Sequence, residues 1–177
     1  MTWSRSAVWA AVERVAHSRG AVPATFLWNL AQGSVVPGPA ELLLLPMALA
    51  DPSRAWVLAL AAMSGSVLGG CIAYWLGAAA FLAVGKPLLA MLGITDATLM
   101  RAIALMAEHG WWFIIGSTLT PLSTKAVSIG AGAVGVPFPV FALALGIGRA
   151  LRFSLVALLV RASAGTLHRW RQRMFAR

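Results

Sequence analysis

The stretch Ser34-Val-Val-Pro-Gly-Pro-Ala-Glu41 places an acid behind two prolines in the middle of an apolar run. Residues 20–40 and 42–50, on either side of that acid, carry no charge. Proline removes a backbone donor and interrupts a helix, and backbone freed in this way at membrane depth has to be covered by protein or line a cavity. A carboxylate buried there is costly unless it is paired or protonated. Two costly features side by side indicate a functional site.

The same pattern occurs a second time. Ser34-x-x-Pro37-x-x-x-Glu41 returns 84 residues later as Thr118-x-x-Pro121-x-x-x-Lys125. Each copy is followed by a junction that contains proline and then by a long apolar segment with several glycines. The matched acid and base predict two broken helices whose tips bring Glu41 and Lys125 together.

Composition places the chain in a membrane. The 177 residues are 60% hydrophobic and 11% charged, whereas soluble domains carry roughly 25% charged residues. The lone cysteine, Cys71, excludes disulfides and thiolate metal sites within the chain. The formal charge of +9 comes mostly from residues that flank apolar segments. That distribution favours an anionic leaflet over nucleic acid as the partner, and no signal-peptide pattern opens the chain.

Hydrophobic periodicity and the positions of proline, glycine and charged residues divide the chain into seven segments. Residues 1–20 predict an amphipathic interfacial helix, with a frayed terminus as the alternative, and residues 21–165 a membrane domain. Within that domain we predict a first hairpin at about 24–50, with a kinked single span as the alternative, and a first true span at 55–77. An interfacial connector at 81–109, with a helix capped by Thr95 or Asp96, precedes a second hairpin at about 111–136 and a second span at 138–160. Residues 166–177 form a basic tail.

Small residues in these segments predict close helix packing. The stripe from Gly65 to Gly69 has the G-x-x-x-G spacing, and Gly146 lies between Ala142 and Ala150. The packing glycines that we predict are Gly65, Gly69, Gly70, Gly130, Gly132 and Gly146.

The charges at the segment ends predict an orientation. Five arginines between Arg161 and Arg177 place the C-terminus in the cytoplasm, and two crossings place the N-terminus there too. The two hairpins then enter from opposite sides. Inverted repeats of broken helices that meet near the midplane are typical of secondary transporters.

Several motifs resemble the DedA family, also called SNARE-associated or VTT-domain membrane proteins. In the first half these are Pro37-x-Pro39-x-Glu41 with Leu43-Leu-Leu-Pro46, then Ser64-Gly-Ser-Val-Leu-Gly-Gly70 and Tyr74-x-x-Gly77. In the second half they are Thr120-Pro-Leu-Ser-Thr-Lys125, Gly130-x-Gly132 and Ile147-Gly-Arg149-x-x-Arg152-Phe153. The resemblance covers roughly residues 24–165 and is closest to the small YqaA-like branch.

The resemblance implies two facing re-entrant hairpins and a role in moving lipids, such as undecaprenyl phosphate or phospholipids, across the bacterial inner membrane, with proton coupling. It assigns the essential hairpin acid to Glu41 and a second acid to Asp51, without fixing the register of the latter. The family commonly carries arginines three residues before and after the second-hairpin proline. Here Thr118 and Thr124 occupy those positions, and Lys125 supplies the positive charge instead.

The charged residues admit two interpretations. Glu41 and Lys125 either form a structural ion pair or titrate in exchange with a substrate. Arg149 and Arg152 either bind loop carbonyls or, with Lys125, bind an anionic head group. Hydroxyls at the hairpin tips either donate to that ligand or cap the broken helices. The tip residues that we predict are Ser34, Pro37, Pro39, Thr118, Pro121, Ser123 and Thr124.

The sequence therefore predicts an all-α integral membrane protein with two inverted re-entrant hairpins, two full transmembrane helices and interfacial helices. The predicted function is an inner-membrane transporter or scramblase for an anionic lipid, and homo-oligomerisation stays open. One alternative is a proton-coupled transporter of a small ion or solute, and the other is a non-transporting membrane assembly factor. No enzyme motif is present, and we predict neither catalytic residues nor a metal or other cofactor.

Overall fold

The structure is a computed structural model that describes residues 12, 14–91, 93–119 and 124–175. The predicted interfacial helix at 1–20 lies mostly outside these residues. Every regular element in the described part is helical. The helices are α1 (Ala21–Ser34), α2 (Glu41–Ala50), α3 (Ala55–Ala80), α4 (Lys86–Met91), α5 (Asp96–His109), α6 (Trp111–Leu119), α7 (Thr124–Ala133) and α8 (Phe138–Phe175). A 3-10 turn (Pro52–Arg54) precedes α3, and a π-helical turn (Phe81–Gly85) follows it.

The first broken helix consists of α1, a six-residue break at 35–40, and α2. Two prolines in the break cannot donate to a helical ladder. Gly38 has a φ of +153°, and a Cβ there would lie 2.9 Å from the Trp28 ring, so a residue without a side chain is needed. The Trp28 indole N–H donates to the Pro39 carbonyl at 3.1 Å, which fixes the break against α1.

Helix α1 runs parallel to α3, because their closest contacts advance together along both helices. Gly65 lies against the Phe26 carbonyl, and Gly69, one turn later, lies against the Leu30 carbonyl and Gly33 Cα. At the other end, Arg54 donates to the Ala16 carbonyl at 2.6 Å. The chain must therefore turn back through α2, and α2 ends near the level at which α1 began. We call α1 and α2 the first hairpin.

In the second half, α6 and α7 take the corresponding places, on either side of residues 120–123, which lie outside the described residues. Helix α7 packs on α3, where Gly77 lies against the Ile129 carbonyl and Gly132 lies against the Tyr74 carbonyl. Helix α6 packs on α8, where a Cβ on Gly148 would meet Thr118 and, at 3.1 Å, the Ile115 carbonyl. We call α6 and α7 the second hairpin.

Helices α3 and α8 pack antiparallel in a regular register. The Tyr74 and Phe141 rings stack with centroids 4.8 Å apart. One turn along, a Cβ on Gly70 would lie 2.5 Å from Leu145. Further along, the same register predicts Ala62 opposite Phe153 and Leu58 opposite Ala157, and all four residues belong to one buried cluster. Each step of four residues along α3 is thus matched by a step of four residues back along α8.

The predicted spans at 55–77 and 138–160 agree with the structure. Two helical stretches are long and apolar enough to cross a bilayer, Pro52–Ala80 with 29 residues and Phe138–Ser163 with 26. The connector holds the predicted helix, and Thr95 is its cap, because the Thr98 N–H donates to Thr95 Oγ1 at 3.3 Å. Helix α8 continues to Phe175, so most of the predicted basic tail at 166–177 prolongs the second span as helical backbone.

The glycines predicted for packing differ in their surroundings. Gly65, Gly69, Gly70 and Gly132 contact a neighbouring helix so closely that an added Cβ would clash, and Gly130 is buried. Gly146 differs, because an added Cβ would meet nothing within 4 Å. Gly77 and Gly148 make close contacts that the sequence reading did not single out.

Candidate functional site

Glu41 is the first residue of α2, immediately after the break. A carboxylate is favourable there because the free N–H groups of a helix start give that end a partial positive charge. Its Oε1 accepts from Arg152 Nε at 2.8 Å and lies 2.5 Å from Arg152 Nη2. The Glu41 and Arg152 side chains are 24% and 30% exposed, so this ion pair is largely withdrawn from the surface.

Arg152 also reaches the second hairpin. Its Nη1 donates to the Thr118 carbonyl at 2.8 Å. Thr118 lies in the last turn of α6, where carbonyls have no partner within the helix. One guanidinium on the second span therefore ties the acid that starts α2 to the end of α6, and both broken helices meet at Arg152.

The sequence predicted an ion pair between Glu41 and Lys125, and this prediction is wrong. The partner of Glu41 is Arg152, and among the described residues no ion pair or hydrogen bond joins Glu41 to Lys125. Lys125, half-buried in the first turn of α7, lies instead within electrostatic range of Arg149. The physical reason is the position of Arg152 on α8, between Glu41 at the start of α2 and Thr118 at the end of α6, where its guanidinium contacts both.

Arg149 is almost fully buried, at 3% exposure. Its Nε–H has no hydrogen-bond partner among the described residues. The nearby charges that act on it are Arg152 and Glu41, and Lys125 lies within electrostatic range of it. Arg149 thus links Lys125 to the Glu41–Arg152 ion pair, in a group of three cations and one carboxylate. Buried charge of one sign is costly unless it is paired, so the arrangement suits a further anion.

The hydroxyls at the tips make local hydrogen bonds. Ser34 donates to the Ala31 carbonyl at 2.9 Å, and Thr118 donates to the Ile115 carbonyl at 2.7 Å. Both bonds close the last turn of a broken helix. Thr124 is half-buried at the start of α7, whereas Pro121 and Ser123 lie outside the described residues.

Asp51 belongs to a different place. It follows α2, so the length of that helix separates it from Glu41 by about 15 Å. Its carboxylate accepts from the Ser53 N–H at 3.2 Å and lies 3.5 Å from His17. Burial raises the pKa of Asp51, but the hydrogen bonds from Ser53 and the charge of His17 lower it more, and the pKa falls below its usual value. Asp51 caps the 3-10 turn and does not join the Glu41 site.

Three polar residues near the site escaped the sequence reading. The buried atoms Asn29 Oδ1, Gln32 Oε1 and Ser66 Oγ have no hydrogen-bond partner among the described residues. For Asn29 and Gln32, the sequence signal that could have found them is an amide side chain within the uncharged run from Gly20 to Ala40. No group of three His, Cys, Asp or Glu side chains in the described part of the chain could hold a metal ion.

Two helix pairs joined through Arg152, beside two apolar helices long enough to cross a bilayer, define an α-helical protein of the membrane-spanning kind with a buried charge cluster. The sequence matches the VTT domain over residues 36–162, and the chain therefore belongs to this family, whose domain is the membrane domain of DedA proteins. Neither curated proteins nor solved structures gave a match.

Proposed function

We propose that this protein is a transporter or scramblase that moves an anionic lipid, a polyprenyl phosphate or a phospholipid, across the bacterial inner membrane. The observation that carries the proposal is the surplus of positive charge where the two hairpins meet. Arg152 pairs with the acid Glu41, Arg149 is buried within electrostatic range of both, and Lys125 lies within electrostatic range of Arg149. Guanidinium groups bind phosphate oxygens strongly because their hydrogen bonds are charge-assisted.

An apolar groove beside this cluster supports a lipid over a small solute. It lies between α3 and α8, encloses about 570 Å³, and is lined by side chains that include Leu68, Ala142, Ile147 and Ala150. Gly146 adds no side chain to it. Ala150 directly follows Arg149 in the chain, so an acyl chain in the groove would have its head group near the cations.

In the membrane, we propose that both hairpins are re-entrant and inverted relative to each other, with both termini in the cytoplasm. The parallel packing of α1 on α3 supports the first hairpin, since α2 has to return toward the side where α1 begins. The arginine-rich end of α8 supports a cytoplasmic C-terminus. Lys125 in place of the family's flanking arginines supports assignment to the YqaA-like branch.

The mechanism that follows is an exchange of partners at Arg152. An arriving phosphate competes with Glu41 for the guanidinium. A carboxylate that loses its cation in apolar surroundings is costly unless it takes up a proton. Binding of the anionic head group would then be coupled to protonation of Glu41, and release of Arg152 would loosen the contact between the hairpins.

Reconstitution into proteoliposomes tests the proposal. Fluorescent anionic and neutral lipids are compared for movement between leaflets, with and without a pH gradient. We expect faster movement of the anionic lipid, lost in Glu41→Gln and Arg149→Gln. Leu159→Ala, at a side chain 60% exposed on the same helix and outside the groove, is the matched control and should move lipid normally.

Two results would overturn the lipid assignment. Solute uptake driven by the pH gradient without lipid movement would identify a small-solute carrier. No movement of any substrate by folded protein would identify a membrane assembly factor. If Glu41→Gln moves lipid as well as the parent does, the exchange of partners at Arg152 is wrong, but the assignment of a lipid substrate is unaffected.

A further inference from the structure

A polar pair interrupts the apolar register between α3 and α8. Above it, Gly70 meets Leu145, and below it, Ala62 and Phe153 share one buried cluster. The step of four residues between these pairs places Ser66 opposite Arg149. Ser66 is fully buried and Arg149 is 3% exposed, and Ser66 Oγ and Arg149 Nε both lack a partner among the described residues.

Helix α1 adds two amide oxygens at the same level. A Cβ on Gly33 would lie 2.9 Å from the Ser66 carbonyl oxygen, so α1 meets α3 at this residue. Asn29 is one turn before Gly33 on the same face of α1, and Gln32 is three residues after Asn29, within side-chain reach. Asn29 is fully buried, and within the described part of the chain the Oδ1 of Asn29 and Oε1 of Gln32 accept no hydrogen bond.

The four unpartnered atoms are of complementary kinds. Arg149 offers an N–H donor, the two amides offer acceptors, and the Ser66 hydroxyl can do either. Leaving such groups unpaired in a dry interior is costly, because their hydrogen bonds to water are lost and not replaced. Buried water resolves the cost where it finds two to four polar partners. A bound metal cation does not fit, because the guanidinium of Arg149 would repel it.

We infer that the interior between α1, α3 and α8 is a water-filled, electropositive chamber, lined by Asn29, Gln32, Ser66 and Arg149, that admits small anions. It lies next to the Glu41–Arg152 ion pair, since Glu41 and Arg152 both act electrostatically on Arg149. Polar side chains therefore continue from that ion pair to the contact between α1 and α3 at Gly33 and Ser66. The inference rests on packing and burial and does not depend on which lipid is moved.

Thiol labelling of the full-length protein in liposomes tests the chamber. Cys71 is first replaced by serine, and Ser66→Cys then introduces a thiol of similar size. Methanethiosulfonate reagents form a mixed disulfide with a thiolate and release methanesulfinate, and a thiolate forms only where water reaches the sulfur. We expect Ser66→Cys to react at least about tenfold faster than Ala62→Cys. Ala62 is the matched control, fully buried one turn away on α3.

Reagent charge tests the electropositive character. After normalisation to a free thiol, the sulfonatoethyl reagent should exceed the trimethylammonium reagent by on the order of tenfold at Ser66→Cys. Adding Arg149→Gln should abolish that preference. If Ser66→Cys does not fold, as judged by size-exclusion chromatography in detergent, Asn29→Cys replaces it with the same expectation.

A thiol at position 66 that reacts as slowly as one at position 62 would show a dry interior and overturn the inference. Equal rates with both reagents would overturn its electropositive character. Because the readout is a chemical rate at one sulfur, its failure is distinguishable from failure of the lipid assay. A chamber without lipid movement, or lipid movement without a chamber, would each be recognised.

Discussion

The two hairpins are held against their spans in different ways. In the first hairpin, backbone meets backbone, because Gly33 on α1 faces Ser66 and Gly69 on α3. In the second hairpin, α7 also meets α3 backbone to backbone, at Gly77 and Gly132, but α6 meets α8 at Gly148 through the Thr118 side chain as well as the Ile115 carbonyl. A contact between backbones has one geometry, whereas a threonine side chain can change rotamer. The comparison indicates that α1 and α7 are fixed on α3, and that α6 is the part of the second hairpin able to move.

The hairpins also contribute unlike chemistry. The first supplies the acid, Glu41, at a helix start. The second supplies Lys125 and the free carbonyl of Thr118. The residue that joins them, Arg152, comes from the second span. If the second hairpin moves, the bonds of Arg152 are those that have to break.

Removing the shared arginine should have the largest effect. Arg152→Gln leaves the Glu41 carboxylate without a cation and the Thr118 carbonyl without its donor. We expect a loss of about 3 kcal/mol in stability, given the cost of breaking a partly buried ion pair, and complete loss of lipid movement. Thermal unfolding in detergent and the liposome assay measure the two effects.

Arg161→Gln, at an exposed arginine farther along α8, is the control and should change neither. The double variant Glu41→Arg/Arg152→Glu restores opposite charges but not the bond to Thr118. It should regain part of the stability and none of the transport. Full stability in Arg152→Gln alone would contradict the structural joining of the hairpins.

The next largest losses of stability should come from alanine substitutions at the packing glycines, and their sizes should distinguish the two hairpins. Gly69→Ala pushes a methyl group into α1 backbone, and we expect a loss of about 2 kcal/mol. Gly148→Ala displaces a threonine side chain, and we expect about 1 kcal/mol. Gly146→Ala is the control, since nothing lies within 4 Å of the added Cβ. Equal losses at Gly69 and Gly148 would remove the proposed difference in rigidity.

Neutralising Lys125 should affect function more than folding. Lys125→Gln relieves its repulsion with Arg149, so stability should stay within about 0.5 kcal/mol of the parent. Movement of the anionic lipid should fall about tenfold, and Lys125→Arg should retain it. A neutral lipid measured in the same liposomes shows whether the loss is specific to the negative head group. Unchanged anionic transport would leave Lys125 with a structural role.

Asp51→Asn should have the smallest effect and no effect on transport. The lowered pKa of Asp51 means that its carboxylate stabilises the fold at pH values above the unfolded-state pKa, near 3.8. That stabilisation is lost as the pH falls through the lower folded-state pKa. At pH 7 we expect a loss of about 0.5 kcal/mol, because asparagine still accepts from the Ser53 N–H as a cap and only the negative charge near His17 is lost. Unfolding curves of parent and variant should converge only below the folded-state pKa of Asp51, which is itself below 3.8, and a difference that persists there would contradict this account.

Much of the fold was accessible from local signals. The uncharged run at 55–77 predicted a span because hydropathy over some 20 residues is a property of the chain itself. Pro37, Gly38 and Pro39 predicted the first break for the same reason. The resemblance to DedA proteins, carried by motifs in both halves, was confirmed by the match to the VTT domain over residues 36–162.

The candidate site was less accessible. The repeat at 84 residues placed Glu41 and Lys125 at corresponding positions, but correspondence in a repeat does not specify contact. Which cation reaches Glu41 depends on how α8 is rotated between the hairpins, and that rotation is set by packing. Asn29 and Ser66 were missed because a single polar residue in an apolar helix has no periodic signal.

The sequence by itself determined where helices break and which segments are apolar enough to span, because proline geometry and hydropathy act within a few residues. Only the tertiary structure decided that Glu41 pairs with Arg152, 111 positions away, and that Ser66 and Arg149 are both buried. These contacts depend on the register of α3 against α8 and on the close approach of backbones at glycine. Both arise from packing between helices that are distant in the chain.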